Sequence, residues 1–380
     1  MMLEFDQSPC WQGEEFTVRL LARLSAARAR CERELQQSRV PLPLPHRMVW
    51  AELSDSPGTG FVSVEDRQGR CRWGFALQVD RSRALPFHFI LRVPKLSGPE
   101  SQAVQEAGLR ALAELARRRP RVLRVELDAF SPDAPLRASV GATLTALGFR
   151  SRTPTRLYTD TVRLDLSQTE AVLFTSLHPT ARRHVRAAGK HGMVVRPVDD
   201  ARYVARMRAL VSQTQARTGM RLEIQDWHRL IEFSHRYPAF ARVAGLFRSG
   251  DPSPGALLAF AVGYVHGDHA EYAAAASARG ENVRLPLGYG PAWDLICWAR
   301  GAGASWFDFG GVTPGSHGDP DDLRGGISDF KRFFGTTVIR VREEWVLEPH
   351  RRRAQIATAV SNLAARLSRI GERIGRNGAR

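Results

Sequence analysis

The sequence predicts an α/β fold in two tandem units, because one order of strands and helices occurs twice along the chain. In the first half, residues 73–79 and 87–93 alternate apolar and polar side chains, as half-buried strands do. A helix pattern follows from Ser97 to about Arg117, and a third strand then leads to Asp128. A strand that returns after a helix lies parallel to its neighbour, so this half should form a mixed sheet.

The second half repeats this order at an offset of roughly 180 residues. Strand patterns cover 256–265 and 270–276, a Pro/Gly turn opens a helix that reaches Arg300, and a strand at 305–309 carries Asp308. Residue identity between the halves is low, so the repeat is one of pattern. Coincidence is the alternative, but the two strand-end acids favour duplication.

Composition limits the classes of function. A chain of 380 residues is long enough for two domains, and no apolar run approaches the roughly 18 residues of a membrane span. The 55 basic and 39 acidic residues give a net charge of +16, which favours polyanionic partners such as nucleic acid, anionic lipid or phosphorylated substrates. The first residues hold two acids and no apolar core, so we expect no secretory signal and a cytoplasmic protein.

The cysteine pattern also favours a cytoplasmic protein. Cys10, Cys31, Cys71 and Cys297 are far apart in sequence and form no CxxC pair. We therefore expect reduced thiols and neither a disulfide framework nor a zinc site.

Several common site motifs are absent from the sequence. It has no GxxxxGK[ST] loop, as nucleotide-binding P-loop proteins have, and no GxSxG elbow. It also lacks the HEXXH and zinc-finger spacings, so we expect no metal. The turn from Arg284 to Gly290 is comparable with the pyrophosphate loop of acetyl-CoA-dependent N-acetyltransferases. Its spacing is one residue too long, however, and Pro291 removes one N–H donor.

The tail after Pro349 has a different character. Its apolar residues recur at the 4-3-4-3-4 spacing of a helical seam, with arginines on both sides: Ile356, Val360, Leu363, Leu367, Ile370 and Ile374. Either this helix packs on the body of the protein, or it is a basic amphipathic helix that rests on a membrane.

The basic segment HPTARRHVRAAGK, residues 178–190, is a first candidate for a binding site. Arg182, Arg186 and Lys190 fall at i, i+4 and i+8 of a predicted helix and so share a face, and Arg183 lies beside them. Such a face can follow phosphates, although a solvated helix surface is commoner.

The most informative segment is WFDFGGVTPGSHGDPDDLRGGISDFKRFFG, residues 306–335. A short apolar strand carries Asp308, and a loop rich in Gly, Pro and Asp leads to Phe330 and Lys331. Loops this long within a compact domain are usually functional or disordered. A lysine between aromatic residues can deliver a cation to a partly dry pocket; the plainer interpretation is a snorkelling surface lysine.

These segments resemble the FemABX peptidyltransferases, aminoacyl-tRNA-dependent enzymes that add amino acids to peptidoglycan precursors. The resemblance covers roughly residues 160–350, and the first 150 residues match only in pattern. It is carried by ARRHVRAAGKHGMVVRPV, GDHAEYAAAAS, GYGPAWDLICWARGAGASWFDFGGV and GISDFKRFFGTTVIRV. The pairing of FDFGG with FK-x-FFG is its most specific part.

For the fold, the resemblance implies two tandem GNAT-like domains, each a mixed, mostly antiparallel sheet flanked by helices, plus a C-terminal helix. The first domain would cover 1–160 and the second 161–344, with 345–380 returning to the first. No long helical hairpin is inserted, so the short FemX-like type is the nearer one.

For the site, the resemblance implies that Phe330 and Lys331 are catalytic: the lysine would stabilise the oxyanion and the tRNA terminus, and the phenylalanine would orient substrate. Arg217 and Tyr272 resemble positions that contact the phosphorylated sugar-peptide acceptor. Asp308 is placed with this substrate-binding set. It is either a catalytic partner or an acid that fixes the loop through hydrogen bonds, and we favour the second role. The basic helix would contact tRNA or an anionic membrane.

The implied reaction is attack by an amine on the ester of aminoacyl-tRNA, so neither cofactor, ATP nor metal is needed. The partners would be aminoacyl-tRNA and a soluble or lipid-linked peptidoglycan precursor, with peripheral membrane contact through the C-terminal helix. The runner-up is a GNAT-type N-acyltransferase that uses acyl-CoA or acts on a small metabolite or peptide. A third hypothesis, a binder of anionic polymer or membrane, predicts an exposed Lys331 far from any cleft.

Overall fold

A computed structural model describes residues 9–54, 58–99, 101–219, 226–279, 285–319, 322 and 324–363. The chain divides into two compact units. Unit 1 combines Met1–Arg156 with Arg342–Arg380, and unit 2 is Leu157–Val341. Both boundaries lie a few residues before the predicted ones at 160 and 344.

Unit 1 is built on a sheet of eight strands in the order β1-β2-β3-β4-β5-β6-β15-β7. Its elements are β1 (Pro9–Gln12), β2 (Thr17–Ala22), α1 (Ala26–Gln37), β3 (Gly60–Glu65), β4 (Cys71–Arg81), β5 (Phe89–Leu96), α2 (Gln102–Arg118), β6 (Val122–Phe130), α3 (Ala134–Ala146), β7 (Arg150–Ser151) and β15 (Arg342–Leu347).

The central crossover of unit 1 follows the predicted pattern. Strands β4 and β5 are antiparallel, α2 follows, and β6 returns parallel to β5. The apolar stripe of α2, including Leu109 and Leu112, is buried in the main core of this unit. The helix begins at Gln102, after the N-cap Ser101, and not at Ser97, where the predicted helix pattern began.

The prediction of four reduced cysteines is wrong for one pair. Cys31 on α1 and Cys71 on β4 form a disulfide with a Cα–Cα distance of 5.2 Å. Both residues are buried in a small apolar cluster with Leu35 and Phe61. The pair was missed because the sheet brings together residues 40 positions apart. Cys10 and Cys297 are free thiols.

Unit 2 is built on a sheet of seven strands in the order β14-β8-β13-β12-β11-β10-β9. Its elements are β8 (Asp160–Asp165), α4 (Glu170–Ser176), α5 (Pro179–Lys190), β9 (Met193–Pro197), α6 (Val204–Thr218), α7 (Trp227–Arg236), β10 (Ala241–Arg248), β11 (Leu257–Val265), β12 (His269–Ser277), α8 (Tyr289–Gly301), β13 (Trp306–Gly311), α9 (Gly325–Arg332) and β14 (Thr337–Arg340).

The repeat in unit 2 matches the one in unit 1. Strands β11 and β12 are antiparallel, α8 crosses over, and β13 returns parallel to β12. Leu295 and Ile296 of α8 pack with Phe307 and Phe309 of β13 in one core cluster. The fold class predicted from the sequence, two mixed α/β units, is therefore confirmed.

Residues 351–363 are helical, and the rest of the predicted C-terminal seam lies outside the described residues. Within the described residues, no helix combines the length and the apolar character that crossing a bilayer requires.

Candidate functional site

The site lies where two parallel strands of unit 2 separate. Strands β12 and β13 pair only as far as Glu271 and Asp308, although β12 continues to Ser277 and β13 to Gly311. Next to this point, the pairing register also shifts between β12 and its other neighbour β11, and between β13 and its other neighbour β8. Backbone groups beyond the last pair are therefore released from the ladder between β12 and β13, and a cleft can form there.

Lys331 reaches this point from α9. Its side chain is almost buried, with 8% of the residue exposed, and Nζ donates to the carbonyl oxygen of Gly311 at 2.6 Å. Burial lowers the pKa of Lys331 to about 8, while the carboxylates of Asp308 and Glu271 act in the opposite direction. The side chain is thus a cation at neutral pH that loses its proton under mildly alkaline conditions.

Asp308 lies beneath the lysine and is fully buried. Oδ1 accepts from the Gly310 amide at 2.7 Å and lies 2.5 Å from the Thr161 hydroxyl, and Oδ2 accepts from Tyr158 at 2.8 Å. Both oxygens are therefore occupied by protein donors. This geometry suits the loop-fixing role, with an electrostatic effect on Lys331, better than direct contact with substrate.

Aromatic side chains form one wall of the site. The Phe330 ring lies 4.9 Å from Tyr289 and 5.3 Å from Phe334, measured between ring centroids, and 6.3 Å from Tyr272. Burial raises the pKa of Tyr272 and raises that of Tyr289 to about 12, so both hydroxyls stay protonated. Three of these rings come from β12, α8 and α9, and together they form an aromatic cluster around Phe330, the residue next to Lys331.

The acidic loop before α9 is folded onto that helix in its described part. Asp322 accepts from the Gly315 amide at 3.1 Å, and Asp329 accepts from the His317 amide at 2.8 Å. Arg332 donates to the carbonyl oxygens of Thr313 and Gly315. These acids therefore bind the backbone of the loop and fix the start of the helix that carries Lys331.

The basic helix α5 adjoins the same region. The His178 amide donates to the Phe333 carbonyl at 2.9 Å, and their rings stack at 4.6 Å. Arg183 is exposed and close enough to Tyr289 to lower its pKa against the larger effect of burial. The N-terminal half of α5 is thus held at the end of α9.

The other predicted basic residues of α5 differ in their contacts. Arg182 donates to the Thr175 carbonyl at 2.6 Å, and the Arg186 guanidinium lies 4.9 Å from the centre of the Phe174 ring. Both side chains therefore contact α4, whereas Lys190 is exposed at the end of α5. The proposed phosphate-binding face is in part occupied by these internal contacts.

A pair of arginines lies at the carboxyl end of β12. Arg217 is exposed in the last turn of α6, and its pKa is lowered by partial burial and by the charge of Arg279. The Ser277 amide donates to Thr214 Oγ1 at 3.3 Å, which ties α6 to this strand end. Arg279 is therefore a second cation near Arg217, and no sequence motif indicated it.

The turn compared with a pyrophosphate loop also reaches the site. A Cβ atom at Gly288 would lie 3.5 Å from the Phe330 ring, so the start of α8 adjoins one of the two residues predicted to be catalytic. Pro291 is the third residue of α8, and Arg284 lies outside the described residues. No group of three or more potential metal-ligating side chains occurs among the residues with described positions.

Gly310 provides a test of the site. Its φ is +71°, and a Cβ there would lie 3.6 Å from Lys331 Nζ and 3.6 Å from the Tyr272 carbonyl oxygen. Gly310→Ala is expected to lower the free energy of unfolding by about 1–2 kcal/mol through backbone strain, and to lower activity at least about tenfold because the added methyl group occupies space beside the ammonium group that the reacting groups need. Gly303→Ala is the control, because φ there is +85° with nothing within 4 Å. It should show the same thermal destabilisation with unchanged turnover; equal activity losses in both variants would contradict this account.

No family model and no curated protein matches the sequence. Structural comparison is informative. The two mixed sheets with parallel crossovers form a two-unit α/β fold, and this fold matches that of the FemABX family.

Three solved structures are similar over nearly the whole chain. FemX has a TM-score of 0.66 and 16% identity, over 86% of this chain and 97% of FemX. The C-terminal domain of a putative lysylphosphatidylglycerol synthetase from Agrobacterium fabrum has a TM-score of 0.50 and 14% identity, over 89% of this chain and 96% of its own. L-PGS from Bacillus licheniformis has a TM-score of 0.50 and 12% identity, over 91% and 98%. At these identities the likeness establishes the fold.

Proposed function

We propose that the protein is an aminoacyltransferase that moves an amino acid from aminoacyl-tRNA to an amine of a peptidoglycan precursor peptide. One observation carries the proposal: an almost buried lysine lies at the separation of two parallel strands, beside an aromatic wall and over a buried carboxylate. The FemX-like fold and the sequence resemblance to FemABX enzymes support it. The low exposure of Lys331 counts against a protein that only binds anionic polymers.

The chemistry requires one bond to form and one to break. The acceptor amine, in its neutral form, attacks the ester carbonyl that joins the amino acid to the tRNA 3′ end. A tetrahedral oxyanion results, and it collapses with loss of the ribose hydroxyl, which takes the proton released by the amine. The ester is already activated, so the enzyme's task is to position the reactants and stabilise the oxyanion.

In this mechanism Lys331 presents its ammonium group to the oxyanion and to the tRNA terminus. Phe330 and Tyr272 orient the reacting groups, and Asp308 holds the Gly310 backbone and favours the charged lysine. We assign Arg183 and Lys190 to phosphates of the tRNA end, with a smaller role for Arg182 and Arg186 because of their contacts to α4.

The acceptor's phosphates are assigned to Arg217 and Arg279, whose like charges are unfavourable for each other until an anion binds. Because aminoacyl-tRNA is a cytoplasmic substrate, we place the reaction in the cytoplasm. For a lipid-linked acceptor it would take place at the inner face of the membrane.

An acyl-CoA-dependent transferase is the second candidate, because the start of α8 adjoins Phe330 as a phosphate-binding turn would. The proline in the first turn of α8 removes one of the donors that such a turn uses. Incubation with charged total tRNA and cell-wall precursors, with and without ribonuclease, separates the two. Ribonuclease-sensitive transfer to the precursor supports the tRNA donor; ribonuclease-insensitive transfer, or none, overturns it.

The pH dependence tests the charge state of Lys331. Because its pKa is about 8, the cation is present below that pH and is lost above it. The kcat/KM of the wild-type protein is therefore expected to fall as pH rises through about 8. Lys331→Arg keeps its charge, so the fall should disappear in that variant, at a lower overall rate. A wild-type rate that rises through this pH, and no longer does so in the arginine variant, would instead make Lys331 a general base.

A further inference from the structure

The described part of the C-terminal helix, residues 351–363, exposes its large aliphatic side chains, which a helix that only packs on its domain would bury. Ala354 and Ala357 are its buried residues, at 3% and 0% exposure. The three seam residues within the described part of the helix lie on another side: Ile356, Val360 and Leu363 are 54%, 40% and 60% exposed. The helix is therefore held to unit 1 by its alanines and leaves an apolar stripe uncovered.

Contacts with unit 1 are consistent with this orientation. The Arg353 guanidinium donates to the carbonyl oxygen of Pro120, just after α2. The three aliphatic side chains fall at i, i+4 and i+7, so they lie along one line of the helix. An uncovered stripe of this kind usually marks an interaction surface.

The positive charge around the apolar stripe indicates that its binding partner is anionic. Arg351, Arg352 and Arg353 are exposed at the start of the helix. Residues 351–380 contain eight arginines, no lysine and one acid, Glu372, so their net side-chain charge is 8 − 1 = +7. A second copy of the chain would bring two such segments together and repel, whereas an anionic surface attracts each of them.

We propose that residues 351–363 form a docking surface for an anionic lipid bilayer. The helix lies along the surface, the three aliphatic side chains enter the region between headgroups and acyl chains, and the arginines contact lipid phosphates. This attachment does not depend on the proposed reaction, because it involves only unit 1.

Vesicle sedimentation tests this surface without any substrate. The full-length protein is mixed with vesicles of equal parts phosphatidylglycerol and phosphatidylcholine, or of phosphatidylcholine alone. We expect binding to the anionic vesicles only, and binding at least about tenfold weaker for the double variant Ile356→Glu, Val360→Glu. The control is Leu24→Glu with Val194→Glu, which removes two other exposed apolar side chains with the same charge change.

Three outcomes overturn the proposal. The protein does not bind anionic vesicles; it binds them as tightly with the helix variant as with the wild type; or the control variant loses as much binding as the helix variant. Light scattering after gel filtration provides a fourth outcome that would overturn the proposal. A wild-type dimer that the helix variant converts to a monomer, without vesicle binding, would show that a second copy covers the stripe.

Discussion

Replacement of Lys331 by methionine is expected to lower the rate of aminoacyl transfer by about 100- to 1000-fold, the usual cost of removing one oxyanion donor. Methionine keeps much of the volume and the flexibility of the side chain but carries no charge. Because burial disfavours the ammonium group in the folded state, the variant should keep a thermal midpoint near that of the wild type or above it. Single-turnover kinetics and a thermal melt measure the two effects separately.

The matched control is Arg208→Met, which removes one exposed positive charge on α6 at a residue with no assigned role in the reaction. It should retain nearly wild-type turnover, so that a general effect of net charge on tRNA binding can be subtracted. Retained activity in Lys331→Met with a normal melt would remove the lysine from the mechanism.

Replacement of Asp308 by asparagine is expected to have two linked effects. The carboxylate raises the pKa of Lys331 against the larger effect of burial, so its loss should move the alkaline fall in kcat/KM to a pH below about 8. Asparagine also weakens the hydrogen bonds from Gly310, Thr161 and Tyr158, at a cost of about 1–3 kcal/mol in the free energy of unfolding.

Asp251→Asn provides the comparison, because Asp251 also accepts a backbone hydrogen bond, from Ser253, but in an exposed turn. It should leave both the pH profile and the turnover unchanged. A profile for Asp308→Asn that coincides with the wild-type one would show that the two charges are not coupled in the way proposed.

Much of the fold of unit 2 could be predicted, because the sequence patterns that indicate its strands and helices are local. Strand patterns over 256–265 and 270–276 located β11 and β12, and the repeated strand–helix–strand order gave the parallel pairing of β12 and β13. Phe330 and Lys331 stood out through a contiguous motif. The break in pairing after Asp308 has no local sequence signal, since it depends on bulges that form against neighbouring strands.

The partners of Asp308 were not predictable in this way. Tyr158 and Thr161 lie about 150 residues before it in sequence and reach it only because β8 pairs antiparallel with β13. Arg279 was missed for a similar reason, because its relation to Arg217 depends on how α6 packs on β12. Pairing of Cys31 with Cys71 likewise required the sheet.

One composition signal would have strengthened the case for Lys331. The chain has 55 basic residues but only three lysines, at 95, 190 and 331, so 55 − 3 = 52 positions hold arginine. An ammonium group is more compact than a guanidinium and can lose its proton when buried. A lysine within an aromatic motif of such an arginine-rich chain therefore indicates a chemical requirement.

Transfer from aminoacyl-tRNA through Lys331 is tested most directly in a single turnover. Purified aminoacyl-tRNA carries a labelled amino acid, and a cell-wall precursor peptide is the acceptor. We expect the wild-type protein to move the label into an amide on the acceptor amine, and Lys331→Met to do so at least about 100-fold more slowly. Labelled acetyl-CoA should give no product. Transfer from acetyl-CoA with none from aminoacyl-tRNA would contradict the account.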